Sequence, residues 1–299
     1  MKKVYSGTLV VLILLLLWYL FFKPYDYIVS FRSNTFPGAI NQTIKTWHKK
    51  IGSNMPIVQK DLLSVSQHLK FGDSTLIYDW KIVPLTDSTS KVKVRIKDLD
   101  NSLMNKITIP FTETVLEKRS KTNLLGFVEI LNNHIKNFKV KIIGEDELQS
   151  KYCACLSIEG EQQKKAMGMM INYPYLTGFI LDNEIKENGI PFVEITNWNR
   201  DNDSIIYNFC YPIIYHDSLP RHKEIKYKEF KRQKAIKAIY NGNYITSDRA
   251  WYKLLDYAER KNINVIHEPI EFFYNNPNQG GDELNWKAEI YLPIKSDNK

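Results

Sequence analysis

Residues 284–294 read Leu284-Asn-Trp-Lys-Ala-Glu-Ile-Tyr-Leu-Pro-Ile294, a closing strand that sets one acid, Glu289, among Trp286, Tyr291 and apolar neighbours. A carboxylate on a half-buried strand is costly unless it meets a hydrogen-bond donor or a cation. Glu289 is therefore the first candidate site residue. Working back from it, Ala238-Ile-Tyr240-Asn-Gly242-Asn-Tyr244 reads as a strand and a glycine turn. Ser247 to Arg260 reads as a helix with Trp251, Tyr252 and Tyr257, and Glu268-Pro-Ile-Glu271-Phe-Phe-Tyr274 as a strand opened by proline. Strand, turn, helix, strand and strand make one aromatic-rich α+β unit.

The same order recurs upstream, as an internal repeat would. Lys151 to Gly160 pairs with the strand ending at Gly242, and the helix from about Gln162 to Glu187 pairs with that from Ser247 to Lys261. Pro191-Phe-Val-Glu194 pairs with Pro269-Ile-Glu271, an offset of 269 − 191 = 78, and Pro212-Ile213 with Pro293-Ile294, an offset of 293 − 212 = 81. The copies span about 150–214 and 224–295. Asn208 then stands where Glu289 stands, so the acid belongs to one copy. Two such copies would pair about a pseudo-twofold axis and leave a cleft, a common place for a ligand. Tyr240, Tyr244, Trp251, Tyr274, Trp286 and Trp198 are the candidate walls around Glu289.

This order and these residues resemble the effector-binding domain of the GyrI-like and AraC-type family. The resemblance covers roughly the last half of the chain. It implies a small-molecule receptor in which the acid of the closing strand sits in an aromatic pocket and meets cationic or polarised ligands. A desolvated carboxylate beside ring faces would select lipophilic cations. Some relatives are hydrolases, which gives an alternative with Glu289 as general base toward water. A non-binding structural or interaction module is a third reading. The family's transcription regulators carry a DNA-binding domain, and no such signature is found here, so no nucleic-acid partner is expected.

Val4 to Phe22 is almost wholly apolar, 22 − 4 + 1 = 19 residues, long enough as a helix for roughly 28 Å. Lys2 and Lys3 precede it, Trp18 and Tyr19 lie near its far end, and Lys23-Pro24 closes it. The expectation is an uncleaved transmembrane signal anchor over 1–23 in the lipid bilayer, amino terminus inside and body on the extracytoplasmic side.

Between them, 24–143 reads as a separate α+β domain. It has a strand at Tyr25–Ser33, a helix from Pro37 through Trp47, strands at Ser74–Leu85, Lys91–Ile96 and Asn105–Phe111, and a long helix capped by Thr112. This order resembles the helix-grip fold of the SRPBCC superfamily, which implies a hydrophobic cavity between sheet and helix. Trp47, Trp80 and Phe127 read as core. Gly144 to Ser150 reads as a linker to the effector-binding domain, 144–299. The expected fold class is thus α+β: a transmembrane helix, a helix-grip-like domain and a duplicated α+β effector-binding domain.

Net charge is +8, which permits contact with anionic partners without requiring it. The basic run Arg221 to Lys234 alternates like a strand with a charged, solvated face. Cys153, Cys155 and Cys210 are expected as buried free thiols, because a bridge between Cys153 and Cys155 would be strained. Histidines, cysteines and glycines show neither metal-ligand spacing nor a phosphate loop, so no metal or cofactor is expected. Asn41-Gln-Thr and Asn202-Asp-Ser match the glycosylation pattern.

Overall fold

The computed structural model describes residues 2–51, 55, 57–72 and 74–295. The chain forms two compact units, Met1–His134 and Ile135–Lys299.

The first unit begins with α1, Lys2–Leu17, followed by a π-helical turn at Trp18–Phe22. Then come β1 (Tyr27–Ser33), α2 (Pro37–Lys50), β2 (Ile57–Asp61), β3 (Ser64–Phe71), β4 (Ser74–Pro84), β5 (Ser90–Asp98), α3 (Ser102–Thr108) and α4 (Val115–Lys136). The strands form one antiparallel sheet in the order β1-β5-β4-β3-β2. Pro37 opens α2, where its missing N–H costs nothing. A capping box starts α4: the Thr114 hydroxyl accepts from the Glu117 N–H, and the Glu117 carboxylate accepts from the Thr114 N–H. The cap lies two positions after the expected Thr112.

The core of this unit is a ring cluster. Trp80 lies 4.7 Å from Phe127 and 6.0 Å from Trp47, all three buried. Trp80 donates to Gln67, Gln67 donates to His48 Nδ1, and His48 Nε2 donates to the Met55 carbonyl, so these polar edges are satisfied in series. These rings occupy the space between sheet and α4 where the helix-grip likeness implied a cavity. Their burial is the core role expected of Trp47, Trp80 and Phe127.

Three further expectations change here. No described helix is long and apolar enough to cross a membrane. The apolar run is divided because α1 ends at Leu17 and the following turn is pinned: Lys106 Nζ donates to the carbonyls of Leu20 and Lys23, and Tyr19 donates to the Lys106 carbonyl. The expected transmembrane helix over Val4–Phe22 is therefore corrected. The side chains of residues 1–4, including the Lys2 and Lys3 that set the expected orientation, lie outside the described ones. The segment Asn105–Phe111 is not a strand but the end of α3 and the turn after it. Asn41 lies buried on α2 and donates to the Leu62 carbonyl, so its sequon is closed to a glycan.

The second unit contains β6 (Phe138–Leu148), β7 (Lys151–Glu161), α5 (Lys165–Asp182), β8 (Phe192–Asn199), β9 (Ser204–Pro212), β10 (Ile225–Phe230), β11 (Gln233–Gly242), α6 (Arg249–Lys261), β12 (Ile270–Phe273) and β13 (Lys287–Pro293). They build one eight-stranded antiparallel sheet, β10-β7-β9-β8-β12-β13-β11-β6. Each copy supplies three adjacent strands, β7-β9-β8 and β12-β13-β11, and the copies meet where β8 pairs with β12. The expected linker Gly144–Ser150 is instead mostly strand: β6 runs through Leu148 and pairs with β11 along its length. The basic run forms the lysine-rich edge strand β10, a composition that discourages pairing with further chains.

Gly242 ends β11 at φ 148°, where a Cβ would stand 2.9 Å from the Asn137 carbonyl oxygen, so no side chain fits. The cysteines also differ from expectation. Cys155 and Cys210 sit directly opposite each other on β7 and β9 and form a disulfide, leaving Cys153 as a buried free thiol. The partner was hidden because it lies 55 residues away, on a strand whose register only the fold reveals.

Candidate functional site

Successive residues of a strand point to opposite faces of its sheet. Phe272 stands opposite Glu289 in the β12–β13 ladder, so these two share a face, and Glu271 points to the other. Glu271 and Glu289 therefore belong to two different sites, one on each side of the sheet.

Glu289 lies on the face away from α5 and α6. It accepts from Lys287 Nζ at 2.7 Å, Lys237 Nζ at 3.1 Å and the Tyr291 hydroxyl at 3.1 Å. Lys237 also reaches Asp146, and Lys287 lies 4.3 Å over the Tyr274 ring. Burial alone would raise the pKa of Glu289, but hydrogen bonds from Lys287, Lys237 and Tyr274 outweigh it and hold the acid at about 2. Glu289 thus has two resident ammonium partners. At that pKa it is also a weak general base.

The folded pKa lies below the ordinary glutamate value of about 4.5, so this group stabilises the fold above pH 4.5 and loses that contribution as pH falls toward 2. Because the pair is partly open to water, the contribution is on the order of 1–2 kcal/mol. Glu289→Gln should flatten the urea stability profile between pH 5 and pH 3 while changing little else; an unchanged profile would contradict the pairing.

The other face carries the helices, and there the copies meet in a buried polar cluster. Glu271 on β12 is fully buried. It accepts from Lys165 Nζ at the first turn of α5, from Trp251 Nε1 on α6, and from the Ser247 hydroxyl at 3.1 Å. Lys165 Nζ also donates to Ser247 Oγ at 2.8 Å, and stands 4.5 Å from the Trp251 ring centre and 5.8 Å from that of Phe273. Lys165 and Ser247 are equivalent positions of the two copies, since 247 − 165 = 82 and 242 − 160 = 82. Equivalent residues touch only near a twofold axis, so the cluster marks the pseudo-axis. It is an ammonium group held by one carboxylate, one hydroxyl and two aromatic faces.

A second layer locks this arrangement. Trp198 Nε1 donates to Gln162 Oε1 at 2.7 Å, while the Gln162 amide donates to Asp248 and to Tyr252. Asp248 accepts two bonds from Arg249 Nη1. Trp198 packs edge-on against Trp251 at 5.1 Å and Tyr252 at 5.2 Å. Burial pushes the Tyr252 hydroxyl well above its usual range, so it stays protonated and can donate. Burial likewise pushes the Glu271 carboxyl up, opposed by the charge and hydrogen bond of Lys165 and by the Trp251 N–H.

Two of the six expected wall residues, Trp251 and Trp198, lie at this cluster, and Tyr240 and Tyr244 lie in the strand and turn that lead to Ser247. Trp251 bonds Glu271, and Trp198 backs Trp251. The Tyr244 carbonyl accepts from Ser247, and Tyr240 bonds Thr246 in the turn just before. Tyr274 stays with Glu289, and Trp286 lies buried beside the start of β13, its ring 5.7 Å from Tyr244. Sequence reasoning missed Glu271 and Lys165. The signal for Glu271 was as clear as that for Glu289, a lone acid inside Pro-Ile-Glu-Phe-Phe. Lys165 had no signal, since it looks like any polar residue at a helix start.

Among the described residues no group of His, Cys, Asp and Glu side chains could hold a metal ion. No curated protein matches the chain. Among solved structures, 53% of this chain aligns with 98% of the EcmrR C-terminal domain at 13% identity and TM-score 0.45. The same share aligns with 94% of SAV2435 bound to tetraphenylphosphonium, at 14% identity and TM-score 0.34. A hydrolase from Listeria innocua aligns over 55% of this chain and 98% of its own, at 11% identity and TM-score 0.32. These are distant likenesses of fold. The match by family model falls on the duplicated unit: residues 152–295 match the model of the GyrI-like small molecule binding domain.

Proposed function

We propose that the domain binds a small lipophilic cation at the Glu271 cluster, on the helix side of the sheet where the two copies meet. The observation that carries this reading is the set of partners around Glu271: a desolvated carboxylate, an indole N–H aimed at it, and the Trp251 and Phe273 faces beside a cation position. Charge and ring faces together favour a cation with apolar substituents, each ring contact adding about 0.5–2 kcal/mol in a desolvated site. Neutral ligands of the same shape gain the apolar contact alone.

The test is calorimetric titration of the full chain with benzyltrimethylammonium, using benzyl alcohol as the neutral control. Glu289→Gln should bind the cation as the wild type does, and Glu271→Gln should bind at least about tenfold more weakly. Should Glu271→Gln not fold, Lys165→Ala is compared with Lys165→Ala/Glu271→Gln, which differ only in the carboxylate. Equal affinity with and without that carboxylate, or loss of binding in Glu289→Gln, would overturn the assignment.

A further inference from the structure

The cation position beside Glu271 is not empty. We infer that Lys165 is the specificity-determining residue of this site: its tethered ammonium occupies the position of a ligand's charge, and a cationic ligand binds only by displacing it. The inference rests on the proposed site and deepens it.

Three observations carry it. The first is completeness. The Lys165 ammonium takes the Glu271 carboxylate and the Ser247 hydroxyl as hydrogen-bond acceptors, with the Trp251 and Phe273 faces at 4.5 Å and 5.8 Å. That coordination is what a lipophilic ammonium would require, and the chain itself supplies the ammonium. The second is electrostatic. Lys165 begins α5, and Ser247 lies two residues before α6. The N-terminal ends of helices carry partial positive charge, which is unfavourable ground for a cation. Lys165 is thus held by Glu271 and the rings against the dipole of its own helix. The third is asymmetry. The equivalent residue of the other copy is Ser247, a short neutral side chain that Lys165 Nζ reaches at 2.8 Å, so the site holds one ammonium and not two.

A tethered group competes at an effective concentration in the millimolar range or above. The wild-type domain should therefore admit only ligands whose extra apolar contact outweighs Lys165, and reject small amines. Shortening Lys165 should lift that barrier. Lys165→Ala removes a three-carbon ammonium, Cγ through Nζ, and the probe is n-butylammonium, one methylene longer than the group removed.

Thermal unfolding of the full chain is followed against n-butylammonium concentration, with sodium chloride held at equal ionic strength. Lys165→Ala should be stabilised saturably. The wild type, Lys165→Met (which keeps the volume without the charge) and Lys165→Ala/Glu271→Gln should not. Benzyltrimethylammonium should bind Lys165→Ala at least about tenfold more tightly than the wild type. If Lys165→Ala does not fold alone, refolding with n-butylammonium present replaces the melt; recovery of the native fold supports the proposal, and failure to recover while Lys165→Met folds overturns it. A folded Lys165→Ala that is blind to n-butylammonium, or equal stabilisation of the Glu271→Gln double variant, also overturns it. Uptake of n-butylammonium by Lys165→Ala with a wild type blind to benzyltrimethylammonium would leave Lys165 as the resident cation and remove the receptor reading alone.

Discussion

Glu271→Leu lowers the unfolding free energy by about 3–5 kcal/mol, because it leaves the Lys165 ammonium buried without a counter-charge. Both side chains are at most 1% exposed, so water cannot take over the lost partner. The same physics predicts that Glu271→Leu/Lys165→Met recovers most of the loss. A buried ion pair replaced as a unit by apolar side chains of similar volume is often neutral or stabilising. The double-mutant cycle in urea at pH 7 therefore shows strong coupling, and additive losses would contradict the pairing. The pair also links the copies, since Lys165 belongs to the first and Glu271 to the second. A ligand that displaces Lys165 must offset the coupling it breaks.

The second large effect is at the disulfide. Cys155 and Cys210 close a loop of 55 residues through the first copy, worth about 4 kcal/mol in the chain-entropy model and typically 2–4 kcal/mol when measured. Cys155→Ala/Cys210→Ala should lose that stability and become indifferent to reductant, while the wild type falls to the same level when reduced. A wild type whose guanidinium midpoint ignores reductant would contradict the bridge. Cys153 does not substitute for either partner. Burial pushes its thiol to about 12, so it should resist alkylation until the chain unfolds.

Local grammar explains what the sequence made legible. The duplication could be read because each copy repeats a strand ending in glycine, a helix, a proline-led strand and a strand closed by proline. The same punctuation now marks β7-β9-β8 and β12-β13-β11. The aromatic residues around the axis could be named because they cluster on the Tyr240–Tyr252 segment. What was not legible depended on long-range register. Glu289 and Glu271 look alike in sequence, each an acid in an apolar strand. Only the ladder separates them, putting Lys237 beside one and Trp251 beside the other. A lysine 106 positions away could not be matched to Glu271 by any local rule. At the other end, hydropathy described the apolar stretch correctly but not the turn at Trp18–Phe22 that Lys106 fastens. The strands β2 and β3 went unread because their alternation of Ser, Gln, His and Lys looks like loop, although Val65, Gln67 and Leu69 all face the core.

The account depends on Glu271, and not Glu289, being the acid that a ligand meets. The Trp251 indole N–H reports this directly, because it donates to the Glu271 carboxylate. In the indole region of a nitrogen–proton correlation spectrum, assigned by Trp251→Phe, titration with benzyltrimethylammonium should move the Trp251 resonance and leave those of Trp47 and Trp80 in place. Movement of Trp286 with Trp251 unmoved would place the ligand elsewhere and contradict the account.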